Sequence, residues 1–175
     1  MESTTEKNNI KYPESVKVSM EPLNQSYRFS LTIDFDCYTN FTKRILVILM
    51  NPSKATLEFS DKTINNVINY FKNNHDEYFH DFLGIEIVNI LSFYETDSTK
   101  LDNYSLDKQE LNINHVTQKL LDVNNEKIIL AYGEPPNSIR KVYINEVNKI
   151  LELLDNCVVY GVGDLTKKNY PRHGR

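Results

Sequence analysis

Two asparagines follow apolar runs closely enough that their amides need an explanation. The run Ile45-Leu46-Val47-Ile48-Leu49-Met50 stops at Asn51-Pro52-Ser53. A short run rich in branched residues reads as a strand buried on both faces. Proline cannot donate to a ladder and pushes the preceding residue towards extended or turn geometry, so the chain must leave the sheet at Asn51. That puts an amide at a strand's carboxyl end, the edge at which open α/β sheets bind ligands. Asn, Pro and Ser are also ordinary turn residues, and the tripeptide alone does not separate the two readings. Asn89 lies inside a second such run, from Ile85 to Leu91. An unpaired buried amide costs about 1–3 kcal/mol, so Asn89 either bonds neighbouring backbone or reads a ligand by donating and accepting at once. Near the C-terminus, Lys167, Lys168, Arg172 and Arg175 stand against the single Asp164. Such a tail can steer a phosphate-bearing ligand to one edge, or be a solvated terminus.

The elements that must position these residues follow from periodicity. Tyr27 to Ile33 alternates at period two and is expected to be a half-buried edge strand. Ile64, Val67, Ile68 and Phe71 make one helical stripe entered at Ser60 or Asp61, with Lys62, Asn65, Asn66 and Asn69 on the far, solvated face. Ile113, Val116, Leu120 and Val123 mark a second helix, and Ile139, Tyr143, Val147, Ile150 and Leu154 a third. Lys127 to Gly133 and Cys157 to Gly161 supply two further strands. Strand and helix in strict alternation imply a parallel sheet with right-handed crossovers, so the loops after Asn51, Asn89, Gly133 and Gly161 open onto one edge. The expected architecture is a three-layer α/β domain over residues 25–175. Its centre is a mainly parallel four-stranded sheet with helices on both faces, preceded by a flexible arm over residues 1–24 that carries Pro13 and Pro22.

Composition narrows the classes of function. At 175 residues the chain can bury a core without disulfides or metal. A net charge of -4 argues against broad nonspecific nucleic-acid binding, which rests on a basic surface. The longest apolar runs are about six residues, too short to span a bilayer, and no secretory leader is read, so a cytoplasmic address is expected. Cys37 and Cys157, outside any Cys-x-x-Cys pattern, are expected to be structural thiols, and neither a metal nor a cofactor is expected. His75, His80 and His115 are read as surface residues, and Tyr12 and Tyr38 have no assignable role. Fingerprints of the Rossmann, phosphate-loop and serine-hydrolase types are missing from the strand ends.

In order along the chain, Leu49-Met50-Asn51-Pro52-Ser53-Lys54-Ala55, Asp61-Lys62-Thr63-Ile64, Val88-Asn89-Ile90-Leu91-Ser92-Phe93-Tyr94-Glu95-Thr96-Asp97, Leu130-Ala131-Tyr132-Gly133, Leu165-Thr166-Lys167 and Pro171-Arg172-His173 resemble the family called domain of unknown function 1643. The resemblance covers roughly residues 27 to 175. In that family a Gly stands near the position of Asn169 and a Pro follows the His, whereas here Gly174 and Arg175 follow it. More distantly, Met50-Asn51-Pro52-Ser53, Asn89, Tyr132-Gly133 and Pro171-Arg172-His173 look like four stations of the uracil-DNA glycosylases. That likeness implies a glycosylase-like fold and a nucleobase, nucleotide or nucleic acid as partner. It would make Asn51 and His173 catalytic, the first orienting water and the second stabilising the departing base. Asn89 would read a base edge and Phe93 or Tyr94 stack on it, with Ser53, Thr96, Asp97, Gly133, Lys167 and Arg172 completing the binding set. An oxocarbenium-like transition state needs an oriented water and charge stabilisation on the leaving side, and no strong nucleophile. Two other readings stay open: a non-catalytic accessory factor binding a nucleotide or protein in the same cleft, and an acidic DNA mimic.

Overall fold

A computed structural model describes residues 10–22, 27–94, 106–122, 127–135, 137–155 and 157–173. Its strands are β1 (Ile10–Lys11), β2 (Val16–Glu21), β3 (Ser30–Phe35), β4 (Lys43–Leu49), β5 (Phe59–Ser60), β6 (Phe82–Asn89), β7 (Lys127–Leu130) and β8 (Val159–Gly161). Its helices are α1 (Lys62–Tyr78), α2 (Leu106–Leu121) and α3 (Arg140–Leu153). Ile45, Leu46, Val47, Ile48 and Leu49 are all buried, as an unbroken apolar run requires, and β4 accordingly lies inside the sheet β2-β3-β6-β4-β7-β8.

The strands β6, β4, β7 and β8 are mutually parallel, which are the four expected from the alternating pattern. The sheet nevertheless has six strands and is mixed, because β3 pairs antiparallel with β6 and β2 antiparallel with β3. The expected count of four is thereby corrected. Residues 16–21, expected to lie in a loose arm, alternate Val16, Val18 and Met20 with polar neighbours and form the edge strand instead. With β2 outside it, β3 is not the edge strand it was expected to be.

The two faces of the sheet carry separate cores. Ile64, Ile68 and Phe71 of α1 pack with the odd-numbered residues Ile45, Val47, Ile85 and Ile87. Val116 of α2 and Tyr143, Val147 and Ile150 of α3 pack with Leu46, Ile48 and Val88 on the opposite side. Helices thus cover both faces, as expected, though unequally. The last strand, expected from Cys157, pairs only from Val159 and is exposed throughout, since it has one neighbour and no helix over its α1-facing side. Cys37 and Cys157 are exposed free thiols rather than interior ones. His75, read as a surface residue, is buried, its ring lying flat on Tyr38 with centroids 3.5 Å apart.

Candidate functional site

Past the assigned strand ends the ladder continues for a residue or two. Ile90 N–H donates to Leu49, Leu91 to Met50 and Ala131 to Ile48, each at 2.9 Å, so the exits of β4, β6 and β7 are held side by side. Each exit then has its own support. After β4, the Asp61 carboxylate caps α1 by accepting from Ile64 N–H at 3.0 Å and also takes Ala55 N–H at 3.1 Å. Arg28, fully buried, donates from Nη1 to the Ala55 carbonyl at 2.8 Å and from Nη2 to Ser53 Oγ at 3.4 Å. The Tyr12 hydroxyl donates to the Thr56 carbonyl at 2.9 Å. Burial pushes the Tyr12 hydroxyl up to about 12 and pushes the Arg28 guanidinium down, the latter opposed by Tyr94, Tyr12 and Asp61 around it.

After β6, side chains of α2 hold the backbone. Asn112 Nδ2 donates to the Asn89 carbonyl at 2.9 Å, Gln109 Nε2 to the Ile90 carbonyl at 2.7 Å, and Gln109 Oε1 accepts from Ser92 N–H at 3.3 Å. After β7, the Tyr143 hydroxyl donates to the carbonyls of Tyr132 and Gly133, at 3.0 and 3.3 Å. Gly133 has φ +74°, and a Cβ there would stand 3.0 Å from His173 Cβ and 3.2 Å from its Cδ2. Glycine is needed both for the backbone angle and for the imidazole's approach.

The tail that carries His173 is folded on itself. Thr166 N–H donates to the Tyr170 carbonyl at 2.8 Å, Lys168 pairs with Glu134 at 2.8 Å beside Gly133, and Arg172 Nε donates to the Asp164 carbonyl at 2.9 Å. Asn169 has φ 63°, the left-handed region that asparagine tolerates best after glycine, which accounts for Asn where the resembled family has Gly. Bonds from Lys168 and Thr166 hold the Glu134 carboxyl below its usual range.

These supports enclose a cleft of about 220 Å³ whose walls include Asn51, Ser53, Lys54, Asp61, Lys62 and His173. Of the residues expected to converge, Asn51, Ser53 and His173 share that cleft, and Gly133 forms the wall behind the imidazole. Asn89 sits across the ladder from Leu49 at the same edge, but its amide is fully buried, and neither Nδ2 nor Oδ1 finds a hydrogen-bond partner among the described residues. Phe93 forms a β-bridge with Tyr27, and the Tyr94 ring centroid lies 5.5 Å from Arg28 Cζ, so Tyr94 stands next to the buried guanidinium. Lys167 is exposed, and Arg172 is turned to the Asp164 backbone. Thr96 and Asp97 lie outside the described residues.

Arg28, Gln109 and Asn112 escaped sequence reasoning, which gives Tyr12 no role and reads Tyr143 as a buried residue of the third helix but not as a support of the β7 exit. The period-two pattern through Tyr27 to Ile33 put Arg28 on the solvent side. The alternation fails because regular pairing of β3 begins only at Ser30. Its one sequence signal was an arginine set between Tyr27 and Phe29. The chemistry on offer is an amide, a hydroxyl, an imidazole, two ammonium groups and the Asp61 carboxylate that already caps the 17-residue helix, a set suited to a polar ligand. Among the described residues no three His, Cys, Asp or Glu side chains gather as a metal centre would need, and no helix is long and apolar enough to cross a membrane.

Fold and site together define an α/β protein with a mixed six-stranded sheet and a polar cleft at the carboxyl edge of its parallel part. The chain belongs to the family described as protein of unknown function (DUF1643), which it matches over residues 28–174. No curated protein and no solved structure matches it.

Proposed function

We propose that the protein recognises a nucleotide, free or within a nucleic acid, in the cleft of Asn51 and His173, and that N-glycosidic hydrolysis is the reaction its groups are suited to. The observation that carries this is convergence: Asn51 and His173, more than a hundred residues apart, line one cavity with Ser53, Lys54 and Lys62. In that reaction a water held by the Asn51 amide attacks the anomeric carbon as the carbon–nitrogen bond breaks. The bonding pair leaves with the base, a hydrogen bond from His173 stabilises the charge it acquires, and the proton released by the attacking water ends on that base, so the products are the sugar hydroxyl and the neutral base. Lys54 and Lys62, set against the single Asp61 carboxylate in the same wall, are the ammonium groups that suit the phosphate of such a ligand. The distant likeness to uracil-DNA glycosylases supports the same assignment of roles.

Single- and double-stranded oligonucleotides bearing uracil or modified bases test it, with alkali-labile abasic sites as the readout. Turnover that Asn51→Ala lowers by roughly 10²–10³ supports catalysis, by analogy with the loss of one oriented hydrogen-bonding group elsewhere. The fully buried Asn89, which does not line the cleft, favours a second reading in which the same cavity binds without reacting. That reading predicts thermal stabilisation by nucleotides, lost in Asn51→Ala, with no abasic product. Neither stabilisation nor cleavage would remove both. A DNA mimic would show acidic stripes, and the two lysines at the cleft speak against it.

A further inference from the structure

Resting on that nucleotide reading, we infer that the site has two compartments: the cleft takes the phosphate-bearing end of the ligand, and a separate groove beyond His173 takes its planar heterocycle. The groove, about 380 Å³, lies between α1 and the strands β4 and β7, and His173 lines both it and the cleft. Pockets of a few hundred Å³ are the size that small ligands use.

Its origin is topological. The chain passes from β4 through α1 to β6 on one side of β4, then through α2 to β7 on the other side, and through α3 to β8 further out. Right-handed crossovers in opposite directions put α2 and α3 on the face opposite α1. The β7 half of the α1 face is therefore left without a helix, and Val47, Ile129 and Ala131 form an apolar floor there.

The walls narrow the choice of occupant. Lys62 lines the cleft while Asn66, Asn69 and Asn73 line the groove. These four positions fall at i, i+4, i+7 and i+11, one stripe of α1 running about 16 Å. Tyr70 adds a ring to the same wall. An aliphatic chain would use the floor and ignore the amides, and a sugar would use the amides and ignore the floor. A flat nitrogen heterocycle uses both, laying a face on the apolar strands and presenting donor and acceptor edges to carboxamides that can answer either. With phosphate at Lys62 and the base over Ile129, His173 stands at the junction, where the glycosidic bond of a nucleotide would lie.

Methyl and amide NMR of the intact chain tests this with four kinds of probe: inorganic phosphate, ribose 5-phosphate, the uridine and adenosine monophosphates, and the free bases. The nucleotides should move the methyl signals of Val67, Ile129, Ala131 and Val162, which all line the groove, together with the Asn51 amide. Phosphate and ribose 5-phosphate should move only the cleft signals. The surface variants Asn69→Ala and Tyr70→Ala, with Val162→Trp filling the groove, should each weaken nucleotide binding roughly tenfold and leave the ribose 5-phosphate response unchanged. Nucleotides that bind through Asn51 without moving the groove methyls, or with affinities indifferent to all three variants, overturn the two-compartment site and leave the nucleotide reading standing. Absence of any response to any probe overturns both. Groove methyls that shift only with protein concentration would identify a second copy of the chain as the occupant and overturn the assignment to a heterocycle.

Discussion

Asn89 is the residue at which stability and function pull apart. Its amide is entirely buried and neither polar atom has a hydrogen-bond partner among the described residues, although its backbone carbonyl is held by Asn112. Replacing such a group with an apolar one of similar size removes a desolvation cost of about 1–3 kcal/mol without breaking a bond. Asn89→Leu should therefore raise the thermal midpoint by roughly 2–12 °C for a chain of this size, while abolishing whatever recognition the amide performs. Calorimetry checks the first half and nucleotide titration the second. A fall in midpoint would mean that the amide is already satisfied. Arg28 differs, because Ala55 and Ser53 depend on it and its loss would loosen one wall of the cleft. At this scale Asn51 was legible, since the following proline fixes where the strand must stop. Arg28 was not, because it precedes the regular pairing of β3, which begins at Ser30, so the alternation of that strand does not set its side.

The elements divide in the same way between what is local and what is not. Three apolar runs and three helical stripes announced β4, β6, β7 and the helices, because burial on a known period is written into neighbouring residues. The edge strand β2 also alternates, but Pro13 and Pro22 on either side made its setting look like a loop. That β8 would be exposed could not be read, because exposure there follows from its place in the sheet order rather than from Cys157 to Gly161 themselves. The contact between the β7 exit and the tail carries the sharpest prediction. Gly133→Ala places a side chain at φ +74° and a Cβ 3.0 Å from His173 Cβ, so backbone strain and displacement of the imidazole come together. The strain costs about 1–2 kcal/mol, which denaturant unfolding would register. If His173 serves the cleft, binding or turnover falls further than that stability loss explains. Loss of stability alone, with function intact, would separate the tail from the site.

Across the whole molecule the net charge is -4, yet the cleft presents Lys54 and Lys62, with Arg28 buried behind Ser53. With Asp61 in the same wall, the two lysines leave the cleft less acidic than the chain as a whole, and an acidic body disfavours long, nonspecific contact with nucleic acid. The same distribution of charge sets how the fold responds to acid. His115 on α2 is pushed below its ordinary value, first by burial and then by Lys119, with Glu21 and Glu86 opposing. The folded chain keeps this imidazole neutral to lower pH than the unfolded chain does. Below the unfolded value of about 6.5 the unfolded state binds the extra proton, so the contribution is full above that pH and is lost as pH falls through the folded value. Glu134, held low by Lys168 and Thr166, acts in the same direction at more acid pH, within the carboxylate range. Unfolding midpoints measured from pH 7.5 to 5 for the wild type and for His115→Gln should thus converge as the pH falls, or cross, because the variant lacks the titrating group. A difference that stays constant across that range would show that His115 binds its proton equally in both states, and the decline would then belong to the carboxylates alone.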